Sequence, residues 1–108
     1  MALYQWITKT ERDRLEERIH ECLDGTGLEI DPEFSNGKII YASDGDGCKQ
    51  AWNARVTIII TSINSTANEY VVEIRSSEPM LKNGTRCEQI SGRIKTVVPP
   101  KPQGALHY

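Results

Sequence analysis

"NARVTIIITSI", residues 53–63, carries the strongest strand signal in the chain, being β-branched at every position from Val56 to Thr61. Such side chains lose rotamer freedom in a helix and pack well on a pleated surface. A period of two sends Val56, Ile58 and Ile60 to one face. Thr57, Ile59, Thr61 and Ile63 go to the other. "EYVVEIR", 69–75, repeats the pattern, with Tyr70, Val72 and Ile74 set against Glu69, Val71, Glu73 and Arg75. The short link "NSTAN", 64–68, makes the two runs an antiparallel hairpin.

Upstream, "KIIYAS", 38–43, reads as a further strand. "LEIDPEF", 28–34, is a short extended piece demoted by Pro32. Before these, Leu15, Ile19, Cys22 and Leu23 form one stripe of an amphipathic helix. "TKTE", 8–11, is a capping-box pattern with Thr8 as N-cap. Leu3 and Ile7 stay in phase with the same stripe, so a helix starting near residue 2 is equally compatible. "DGTG", 24–27, ends the helix, Gly25 suiting a left-handed C-cap. Downstream, "TRCE", 85–88, is a second capping box. Cys87, Ile90, Ile94, Val97 and Val98 share a helical face, which favours a helix over 86–98 with Gly92 as its weak point; a strand through Ile90, Ile94 and Val98 is the alternative, at the cost of Gly92 and two charged residues on its apolar face. "PPKPQGALHY", 99–108, cannot continue it and reads as a Pro-rich flexible tail.

The expectation is a single α+β domain over 1–98. It comprises an N-terminal helix, a three- to four-stranded antiparallel meander and a C-terminal helix, in two layers. At 108 residues, one domain is also what length predicts.

Charge is unevenly spread. Residues 1–48 carry 5 basic and 11 acidic groups, 49–81 three of each, and 82–108 five and one. Such asymmetry favours self-association or an oppositely charged partner. The net charge of −2, without a dense basic stripe, argues against nucleic acid. Helix, three strands, helix is the element order of double-stranded-RNA-binding domains, but the second helix here offers only Lys82 and Arg86 at its start. No apolar run is long enough to span a bilayer or serve as a signal peptide, so no membrane partner is expected. Three cysteines at wide, irregular spacing make no disulfide framework, and a cytoplasmic location is expected.

"YASDGDGC", 41–48, invites a calcium reading, which fails on its own spacing. Counting from Asp44, loop position 5 is Cys48, position 6 is Lys49 and position 12 is Arg55, where oxygen, glycine and glutamate are needed. A turn rich in Asp-Gly is expected instead. Cys48 beside Lys49 has the setting for a reactive thiol, but His20 and His107 give no catalytic pair. No nucleophile elbow, phosphate loop or zinc-protease motif occurs. No catalytic residue, metal or cofactor is expected.

The stretches "YASDGDGC", "RSSEPML" (75–81) and "RCEQISGRI" (86–94), with the charged helix before them, resemble small uncharacterised cyanobacterial proteins. That resemblance implies a soluble cytoplasmic protein and transfers no activity. The element order is also similar to that of small acidic dimeric secretion chaperones, whose further strand and helix have no room here.

The second face of the sheet is apolar at Ile59, Ile63 and Val71, which calls for something to cover it. With Trp52 at a strand start, and Met80 and Leu81 apolar in a loop, these six are the expected contact residues. The expected function is a non-catalytic protein-interaction, assembly or regulatory module with a protein partner, a homodimer being one form. The alternative is a small-ligand-binding domain or small enzyme with a pocket between helices and sheet.

Overall fold

The structure, a computed structural model, describes residues 2–31, 38–44, 54–64, 66–79 and 84–100. Strand β1 (Ala2–Lys9) leads into helix α1 (Arg12–Leu23). Four strands follow, β2 (Leu28–Ile30), β3 (Ile39–Asp44), β4 (Thr57–Asn64) and β5 (Glu69–Ser76). Helix α2 (Arg86–Val97) closes the order. All five strands form one antiparallel sheet in the order β1-β5-β4-β3-β2. Two helices packed with this sheet make an α+β fold, as the hairpin pattern predicts.

The meander β2 to β5 follows chain order. The departure is at the front. Residues 2–9 are not a helical lead-in but an edge strand, paired with β5 over eight positions from Ala2↔Ser76 to Lys9↔Glu69. Burial explains the outcome. On β1, Ala2, Trp6 and Thr8 are buried beneath α2, while Leu3, Gln5, Ile7 and Lys9 are exposed. The Trp6 indole donates to the Val98 carbonyl at 2.9 Å, and the Thr8 hydroxyl to that of Pro99 at 2.8 Å. A helix over these residues would forfeit the ladder and this side-chain satisfaction together. Thr8 is therefore not a cap. Helix α1 has Glu11 at its N-cap, with no side-chain capping bond.

Gly25 adopts φ +81°, as its C-cap position requires, and Gly27 takes +89°. The Thr26 hydroxyl, between them, donates to the Leu23 carbonyl. At α2 the capping expectation holds: Thr85 accepts from the Glu88 N–H at 3.1 Å. The Glu88 carboxylate reaches back to the Gly84 N–H, one residue before the cap.

With β1 and β2 on opposite edges, the β1–α1–β2 connection must cross the sheet, and it does so on one face. α2 packs over β1 and β5 on that same face and against α1. Between the layers lie Leu15 and Ile19 of α1, Ile90 and Ile94 of α2, and Ile40, Ile58, Ile60, Val72 and Ile74 of the sheet, all buried. Their removal from water is the main driving force of the fold. Among the described residues an open cleft of about 730 Å³ sits at the sheet margin, beside the C-terminus of α1 and β2, between His20, Asp24 and Glu29.

Candidate functional site

Both helices lie on one side of the sheet, so the opposite face defines the candidate contact surface. The register builds it row by row. Ile7, Val71, Thr61 and Ile39 form one row across β1, β5, β4 and β3. Gln5, Glu73, Ile59 and Tyr41 form the next, and Leu3, Arg75, Thr57 and Ser43 a third. Ladder partners share a face, so these side chains are neighbours. Near the end of β4 a bulge sets two residues, Ile63 and Asn64, against Glu69, and Ile63 is 50% exposed. A bulge re-aims the side chain it inserts, here into solvent.

The register therefore brings Ile59 and Val71 onto one face, while Ile63 stands exposed in the bulge. Trp52, Met80 and Leu81 lie outside the described residues, as does Cys48. The sequence reading missed Leu3, Ile7, Ile39 and Tyr41. Leu3 and Ile7 are among the most exposed large apolar side chains of the described residues, at 37% and 43%. Their signal was present in "YQWIT", four of whose five residues favour strands.

On the other side of the molecule Asp44, Glu78 and Arg86 meet in one polar network. Arg86, the first residue of α2, grips Asp44 at the end of β3 with both terminal nitrogens, each contact 2.6 Å. The same guanidinium donates to the carbonyls of Ala54 and Thr26. Asp44 also accepts from the Val56 N–H. Gly27 lies beside this pair, a Cβ there making ordinary van der Waals contact with Arg86 Nη2 at 3.7 Å. The Asp44 side chain is 2% exposed, so it is not presented to solvent as expected of a turn carboxylate.

Glu78, just past β5, completes the network. Its carboxylate accepts from the Arg86 and Cys87 N–H groups and from the Ser76 hydroxyl. A carboxylate at this end of a helix satisfies orphan amides and complements the helix dipole. The chemistry of the network is mutual satisfaction: Arg86 donates to Asp44, and Glu78 accepts from the Arg86 backbone, which makes it a latch.

Of the two described thiols Cys87 is buried and Cys22 half-buried. Burial pushes the Cys87 thiol above its ordinary value, and its sulfur faces the Ile74 carbonyl at 3.6 Å. Burial also raises Cys22, partly opposed by Arg93. Tyr4 is raised too, by burial first and then by the Glu88 carboxylate. Lys95 stands over the Trp6 and Tyr4 rings at 5.1 and 6.0 Å. Among the described residues no group of three or more His, Cys, Asp or Glu side chains is placed to hold a metal ion, and no helix is long and apolar enough to cross a membrane. Set against family models, curated proteins and solved structures, the chain matches none.

Proposed function

We propose that this chain is a non-catalytic protein-interaction module, acting in assembly or regulation through the helix-free face of its sheet. One observation carries the reading: Leu3, Ile7, Ile39, Tyr41, Ile59 and Val71 lie in adjoining rows on a face that neither helix covers. The strands have 8, 3, 6, 8 and 8 residues, which at about 4.8 Å between strands and about 3.3 Å per residue offer a face of about 500 Å² in projection. That is somewhat over half of the roughly 800 Å² per partner of a standard protein interface. Charged Glu73 and Arg75 stand among the apolar residues, 3.7 Å apart, and give the polar surround from which partner choice comes.

The test uses the full chain as bait in native lysate, beside an Ile59→Asp variant whose folding is confirmed by circular dichroism. A stoichiometric protein retained by the first and lost by the second supports the reading. Equal retention by both, or no partner together with a thermal shift produced by a small metabolite, overturns it.

A further inference from the structure

The apolar residues of the helix-free face form a stripe. The register sets Ile7 of β1 against Val71 of β5, and Glu73, the next outward residue of β5, against Ile59 of β4. Ile59 in turn pairs with Tyr41 of β3. One apolar side chain per strand therefore runs diagonally over four strands. Ile7 is 43% exposed, and Val71, Ile59 and Tyr41 are half-buried. Three strand spacings of about 4.8 Å and one two-residue step of about 6.6 Å make the stripe about 16 Å long. Gln5 and Glu73 border it on one side, Lys9 and Glu69 on the other.

The area disfavours a globular occupant. The whole face projects to about 500 Å², and the stripe is a fraction of it. A second copy of this chain, or any folded domain, ordinarily buries roughly 800 Å² per partner. A narrow apolar stripe suits a single element of chain.

The backbone decides which element. Val71 and Ile59 lie on β5 and β4, whose main chains are paired on both sides within the sheet. Along these rows, among the described residues, the face offers an incoming segment side chains and no main-chain partner. An extended peptide laid there would leave its own amide groups unpaired and away from water. A helix brings its main chain already satisfied. The other face of this sheet is covered in that way, by α1 and α2. A helix is about 10 Å across, and at about 1.5 Å per residue about eleven residues span the stripe. Apolar anchors at i, i+4, i+7 and i+11 would then reach from Ile7 to Tyr41. Charge on this face favours neither sign, because Lys9 and Arg75 stand with Glu69 and Glu73.

We propose that the face takes one amphipathic helix of a partner protein, about three turns long, its aliphatic stripe laid across the strands on Ile7, Val71 and Ile59. This rests on the sheet face being the contact surface, and it names the form of what binds there. Apolar spacing, rather than net charge, selects the partner.

Phage-displayed random peptides of about 16 residues, selected on the immobilised full chain, test it. Enriched sequences are expected to repeat apolar residues at intervals of three and four. A synthetic copy of one should gain helical circular dichroism on binding. It should bind Ile59→Asp and Ile7→Asp at least about tenfold more weakly, and lose about a hundredfold in affinity with proline at its centre. Ile7→Asp, on the edge strand, keeps the comparison available if Ile59→Asp does not fold. Enriched sequences of period two, or rich in proline, that still depend on Ile59 overturn the helix and leave the contact face standing. Peptides held equally by both variants, or no enrichment, overturn the proposal, and the lysate experiment then judges the contact face by itself. A wild-type dimer in sedimentation that Ile59→Asp dissociates puts a second copy on the face and overturns it as well.

Discussion

Arg86 and Asp44, separated by 42 positions in the chain, meet end to end with two 2.6 Å contacts. Both side chains are largely withdrawn from water, at 14% and 2% exposure. The pair ties the first turn of α2 to the end of β3 and, through the Thr26 and Ala54 carbonyls, to two further segments. Removing one partner strands the other charge out of water. Arg86→Ala or Asp44→Ala should therefore lower unfolding free energy by about 3–5 kcal/mol. The double replacement Asp44→Leu with Arg86→Met should cost much less than the sum. Urea melts of the three variants check this.

The two helices begin differently, and their N-termini should respond in opposite senses. Thr85→Ala removes a made cap bond and should cost about 1 kcal/mol. Glu11 caps nothing with its side chain, so Glu11→Ser should stabilise by about 0.5–1 kcal/mol. Thermal melts of both variants decide it.

Cys87 and Cys22 are both raised by burial. Their contribution to stability is full below the unfolded thiol value of about 8.5 and declines as pH rises toward their folded values. Denaturation midpoints should thus fall above about pH 8.5, and Cys87→Ala should flatten that alkaline slope. In the native protein at pH 8, Cys87 should resist iodoacetamide until unfolding, which mass spectrometry of the modified peptides can read.

The two faces of β4 should differ sharply in what they tolerate. Ile60 is 0% exposed and Ile63 50%. Ile60→Ala should cost about 2–5 kcal/mol. Ile63→Ala should stay within about 0.5–1 kcal/mol, as for a surface site. Chemical denaturation of both variants gives the comparison.

The hairpin and the second helix were legible because their signals are local: alternation in Val56–Thr61, a short link, a cap at Thr85. The N-terminal strand was not. Leu3 and Ile7 fit the helical stripe through Leu15 and Ile19 as well as they fit an edge strand, and what decides is β5, some 65 residues further on. The same distance hid the fate of Asp44, whose neighbours Gly45 and Asp46 suggest a turn while its partner lies at Arg86. For the contact face, β4 and β5 supplied Ile59, Ile63 and Val71 by period alone. The share contributed by β1 could not be read until its strand was known.

The placement of β1 also has a temporal side. Its ladder partner is the last strand of the meander, and its cover is the helix after that. As the chain is synthesised, residues 2–9 leave the ribosome early and must wait for nearly everything else to follow. Such long-range pairing slows folding. Meanwhile an apolar strand is on offer to any neighbouring nascent chain.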